Sequence, residues 1–139
     1  MIGPRLNETN ETIKRALAIA SRNPQQALGL LEEGLRKSRA EADRQGIHSL
    51  ARNAGVVCAG SGHLRRAIVY YEEALRTAPE DASLHLACGD LHRRLGEHDK
   101  AATSFAHSLE QATEQGDVEM IDMAAKAQAS LHDDEGRTE

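Results

Sequence analysis

The chain repeats itself. Sliding the 139-residue sequence along itself by 34 positions lays Gly55 on Gly89, Gly62 on Gly96, Ala67 on Ala101, Tyr71 on Phe105, Ala74 on Ser108 and Leu75 on Leu109. A fixed period of this length marks a stacked array, in which each unit buries its apolar face only against its neighbours. A 40-residue shift sets Ala27, Leu31, Gly34 and Leu35 on Ala67, Tyr71, Ala74 and Leu75, so an earlier unit precedes these two. Within a unit the spacing is helical: Leu64, Ala67, Ile68, Tyr71, Ala74 and Leu75 share one face. Helix stops fall at Asn23-Pro24, Gln45-Gly46, Gly60-Ser61-Gly62, Pro79, Leu95-Gly96-Glu97 and Gln115-Gly116. One Phe, two Tyr and no Trp leave Ala and Leu to build the core, which suits closely packed helices and excludes a β-sandwich or barrel. The expected fold is all-α, with helices near 8–21, 24–43, 47–60, 64–77, 82–94, 98–113 and 117–131. That is three helical hairpins and a final capping helix with Asp117 as its N-cap.

The stretch from Leu50 to Cys58, then Gly62 through Leu75, then Pro79, resembles a tetratricopeptide (TPR) repeat. The family pattern is met by Gly55, Ala67, Tyr71 and Pro79, and in the next copy by Gly89, Ala101 and Phe105. Gly55 and Gly89 let paired helices approach, while Gly62 and Gly96 close the turn inside each repeat. The chain departs from the pattern where Ala51 and His85 replace the usual Trp, Ala54 and Cys88 the usual Leu, Cys58 and His92 the usual Tyr, and Thr113 the second Pro. The first unit aligns on its second helix, and removing one turn residue to align its first helix puts Ile13 and Leu17 in the core. The resemblance implies a right-handed α-solenoid of antiparallel helix pairs, about seven helices in one domain over residues 8–131, with repeats at 8–46, 47–81 and 82–115 and a capping helix at 117–131. The acidic tail 132–139 has no apolar anchor and residues 1–7 are poorly provided with them, so both ends are expected to be flexible.

No constellation favours catalysis. His85, Cys88 and His92 stand three and four residues apart on one helix, a spacing compatible with a metal site, but they occupy the inward places held by Ala51, Ala54 and Cys58 one unit earlier. No CxxC or HExxH pattern supports a metal, so neither metal nor cofactor is expected and the metal reading is the remote one. His63 and His98 occupy equivalent turn places, and His48, His107 and His132 are expected in solvent. The pairs Glu32-Glu33 and Glu72-Glu73 recur at the same place in the repeat, as a solvated face does. Gly60-Ser61-Gly62 follows a helix rather than a strand, so it is no nucleotide loop. A non-enzymatic protein is expected.

What remains is a surface. In proteins this chain resembles, a concave groove lined by the first helix of each repeat holds a segment of a partner. Matching repeat places gives Ala16, Ile19 and Ala20, then Ser49, Arg52, Val56 and Ala59, then Ser83, Leu86, Asp90, Arg93 and Arg94, with Met120 and Ala124 from the cap. The site residues singled out are Ile19, Arg52, Val56, Ala59, Leu86, Asp90, Arg93 and Arg94. Arginine's planar fork suits carboxylates, so the expected partner is a protein or peptide segment with acidic and apolar portions. The family's chaperone-tail binders use Lys, Asn and Arg at places where this chain carries Thr12, Ala16, Ala87 and Ser83, with Asn53 the one match, so a chaperone-tail adaptor is not expected. Self-association through the Met-bearing cap is the rival reading. A net charge of −5 and a pI near 5.8 argue against nucleic acid or an anionic membrane as the partner. Two lone cysteines and no basic-then-apolar start lead us to expect a cytoplasmic protein.

Overall fold

The computed structural model describes residues 4–137, with side chains described for 5–134. Among the described residues seven helices follow one another: α1 (Pro4–Ile19), α2 (Pro24–Ala40), α3 (Arg44–Gly60), α4 (Leu64–Thr77), α5 (Ala82–Arg94), α6 (His98–Gln115) and α7 (Val118–Arg137). They group into two compact units that divide between Ala78 and Pro79. In the first unit α1 packs on α2 and α3, α2 on α3, and α3 on α4; in the second, α6 packs on both α5 and α7, and α5 also meets α7.

Each core has the composition the sequence dictates. In the first unit Ala16, Ala27, Leu31, Leu35, Ala51, Ala54, Ala67 and Ala74 are wholly buried, and small residues at these places bring the helix axes together. Tyr71 fills the space over Gly55, where a Cβ would overlap its ring and lie 3.0 Å from Cζ. The second unit repeats the device with Phe105 over Gly89, beside Ala101 and Leu131, with Leu86 and Ala127 packed against them.

The junctions share one chemistry. Gly62 takes φ +82°, the Gly62 N–H donates to the Ala59 carbonyl at 3.1 Å, and the His63 N–H donates to the Cys58 carbonyl at 2.9 Å. This is the paired hydrogen bond that closes a helix on a left-handed residue. Gly96, at φ +77°, repeats it with donors Gly96 and Glu97 to Arg93 and His92, and Gly116, at φ +67°, with donors Gly116 and Asp117 to Thr113 and Ala112. The same motif ends α2 without a glycine: Ala42 adopts φ +52°, and Ala42 and Asp43 donate to Arg39 and Ser38. The break expected at Gln45-Gly46 therefore lies at residues 41–43, and Gly46 sits in the first turn of α3, where its N–H donates to the Asp43 carboxylate at 3.1 Å.

Helices run over residues 4–7 and 132–137 of the two terminal segments, and residues 1–3 and 138–139 lie outside the described residues. Other expectations need correction. In α1 the phase differs: Ala16 and Thr9 are buried, Ile13 is half-buried and Leu17 is 45% exposed, because α1 lies close to two helices and turns its smallest side chains toward them. Two of the recurrent glutamates do more than face solvent. Glu32 accepts from the Tyr70 hydroxyl, and Glu73 takes Arg39 through two bonds of 2.6 and 2.7 Å. Burial and the Glu32 carboxylate push the Tyr70 hydroxyl up to about 12. Asp117 caps α7 as expected, accepting from the Met120 N–H at 3.1 Å.

Candidate functional site

The chemistry-bearing residues sort first into those already engaged. His85 places Nε2 2.9 Å from the Pro79 carbonyl oxygen and packs edge-on against His107, with ring centres 5.3 Å apart. His92 puts Nδ1 3.1 Å from a Glu97 carboxylate oxygen, and Cys88 is buried. His85, Cys88 and His92 thus turn to separate surroundings, and among the described residues no group of three His, Cys, Asp or Glu is placed to hold a metal ion. His107 stays exposed, as expected, while making this ring contact.

Five of the expected groove residues meet in the second unit. Ser83, Leu86, Asp90 and Arg93 from α5 and Met120 from α7 line a cleft of about 590 Å³, together with Ala87, Phe105, Met123, Lys126, Ala127 and Ser130. The spacing explains the wall: Ser83, Leu86, Asp90 and Arg93 recur at three and four residues on α5, so they share one face. Met123 is 51% exposed at the lip. Ala124, expected in the groove, is wholly buried, because α7 turns that side toward the core.

Arg93 is not a free guanidinium. Its Nε donates to the Asp134 carboxylate at 2.7 Å, tying the last turn of α5 to the far end of α7. Arg94 lies outside the cleft lining, exposed, 3.9 Å from Asp90 one turn back. His92, Arg93 and Arg94 all sit in the last turn of α5, where the helix dipole favours cations. One carboxylate of the acidic segment, Asp134, is thus ion-paired.

In the first unit the expected residues scatter. Val56 lines a cleft of about 700 Å³ at the end of the unit that carries the α1–α2 and α3–α4 turns, with Leu17, Ala20, Leu28 and Arg66 among its other walls. Arg52 is exposed, Ile19 and Ala59 are half-buried, and none of the three lines that cleft. Ala16, expected in the groove, is buried in the core. Leu17, Leu28 and Arg66 were missed; Leu17 was hidden by the phase of α1, and Leu28 and Arg66 lie on second helices of their hairpins. Among the described residues no helix is long and apolar enough to cross a membrane.

Antiparallel helix pairs that carry surface clefts and, among the described residues, no metal cluster define a helical-repeat scaffold. The tetratricopeptide repeat family model matches residues 59–129, and the chain belongs to that family. No curated protein shows a significant sequence match to the chain. Among solved structures, the TPR domain of Arabidopsis FLU aligns with a TM-score of 0.69 at 19% identity, over 80% of this chain and 99% of that one. PcrH, solved in complex with the chaperone-binding region of PopD, aligns with a TM-score of 0.66 at 16% identity, over 94% of this chain and 96% of that one. The Hsp90 co-chaperone Cns1 from Saccharomyces cerevisiae gives 0.71 at 15% identity, over 99% of this chain but 44% of that one. At these identities the likeness establishes the fold, an all-α solenoid of antiparallel helix pairs.

Proposed function

We propose that the chain is a non-enzymatic, cytoplasmic interaction module that seats a segment of a partner protein in the α5–α7 cleft and so assists assembly or regulation of a complex. The observation that carries this reading is the cleft itself: Leu86, Met120 and Met123 make an apolar floor and lip, and Arg93 stands on its wall. Methionine adapts to varied apolar partners, and a guanidinium that already holds one carboxylate suits another. The PcrH complex supports a peptide-like occupant by analogy of fold. The first experiment is affinity capture from native extract by the wild-type chain beside an Arg93→Glu variant, with the bound proteins read by mass spectrometry. A partner held by the wild type and lost by the folded variant supports the reading; identical capture by both refutes it.

Self-association through α7 is the second reading, favoured by the exposure of Val118 and Met123 on that helix. Sedimentation across a concentration series separates the two, since only self-association makes the chain's own mass depend on concentration.

A further inference from the structure

We propose that the first unit carries a second docking cleft, formed by Leu17, Leu28, Val56 and Arg66, that takes a partner-protein segment presenting an aliphatic side chain next to a carboxylate. The site is separate from the α5–α7 cleft and shares no residue with it.

Three observations carry this. The cleft has a volume of about 700 Å³, within the range of ligand-holding clefts. Two of its walls are large apolar side chains left open, Leu17 at 45% and Val56 at 48% exposure, although neighbouring Ala16 and Val57 are buried. Half-open walls suit a chain laid along the surface better than an enclosed small molecule. Finally, charge decides what else the occupant carries. The chain has a net charge of −5, yet among the described residues lining this cleft the charged group is Arg66, joined by His63 when protonated, with no carboxylate. A single guanidinium beside an apolar wall pairs with a single carboxylate, whereas phosphate recognition gathers several arginines.

The test is selection of a random-peptide phage library on the immobilised full-length chain, followed by fluorescence anisotropy of the enriched peptides against wild type, Arg66→Glu, Leu17→Ser and Arg93→Glu. Leu17 and Arg66 are exposed, so their substitution should leave the fold intact, and circular dichroism of each variant is the control. The expected result is a class of peptides pairing Leu, Ile or Val with a nearby Asp or Glu, whose affinity falls about tenfold or more in Arg66→Glu and in Leu17→Ser and is unchanged in Arg93→Glu. Absence of enrichment, enriched peptides without acidic residues, or affinity insensitive to Arg66→Glu overturns the proposal. Peptides lost only in Arg93→Glu belong to the α5–α7 cleft and likewise leave this one without an occupant, so the two readings fail separately. A dimer abolished by Leu17→Ser names a second copy as the occupant and overturns the proposal too.

Discussion

Replacing Gly89 with alanine probes how tightly α5 lies on α6. A Cβ there would overlap Cδ1 and Cε1 of Phe105 and stand 3.1 Å from Cζ, whereas carbon atoms rest at about 3.5–4.0 Å. The ring has no easy retreat: Phe105 is 1% exposed and lies against Ala101 and Leu131. Overpacking of this kind costs about 1–3 kcal/mol, and overlap with two ring carbons puts it in the upper half of that range. Alanine recovers about 1 kcal/mol of helix propensity over glycine, leaving a net loss of about 1–2 kcal/mol. Gly29 is the internal control, since it lies inside α2 with nothing within 4 Å of its Cβ position. Gly29→Ala is expected to stabilise by up to about 1 kcal/mol, so the difference between the two variants isolates the steric cost at about 2–3 kcal/mol. Urea unfolding followed by far-ultraviolet circular dichroism reads both. A second cycle in a Phe105→Leu background should shrink the cost of Gly89→Ala, because residues in contact are not additive. If Gly89→Ala proves as benign as Gly29→Ala, the close approach of the two helices, and with it the placement of the α5 wall of the cleft, is wrong.

Three further perturbations follow from the same geometry. Ala42→Gly should raise the urea midpoint, because the left-handed conformation costs an L-residue about 1–2 kcal/mol while glycine's added unfolded-state freedom offsets about 0.4–1 kcal/mol of the relief. Asp43→Ala removes the acceptor for the Gly46 N–H and should cost about 1 kcal/mol in the same assay. Arg39, bonded to Glu73, holds that carboxyl below its ordinary value of 4.5, so the pair's contribution is present above that pH and fades as pH falls through the depressed folded value. Arg39→Ala should therefore flatten the loss of stability on the acid side, with a cost near neutral pH of at most about 1 kcal/mol because Arg39 is half-exposed. An unchanged acid slope would refute the pairing.

The repeat was legible because its signals are large and local. A glycine beneath an aromatic ring recurs at 34 residues, and close helix pairing admits few other combinations. The phase of α1 was not legible, because its buried places carry Thr9 and Ala16, which apolar periodicity weighs less than Ile13 and Leu17. Nor was the end of α2, since an alanine there does what glycine does at three other junctions. The ion pair at the end of α7 was illegible for a different reason: Arg93 and Asp134 stand 41 residues apart, so no pattern along one helix contains their contact.

That contact also bears on how the α5–α7 cleft works. An exposed ion pair contributes about 0.2–1 kcal/mol, and both partners here remain about one-third exposed. Asp134 is therefore a weak resident at Arg93, one that a partner carboxylate can displace at small cost. The cleft's shape is fixed more firmly than its charge. The residue that closes each of four helices, Asp43, His63, Glu97 or Asp117, is also the N-cap of the next helix or the residue just before it. Those junctions are short and hydrogen-bonded, so the starts of α3, α4, α6 and α7 are held by backbone as well as by core packing. Substitutions at the exposed Leu17, Val56 or Met123 can then alter what a cleft accepts without moving its walls, which is the separation of recognition from architecture that repeated helical pairs permit.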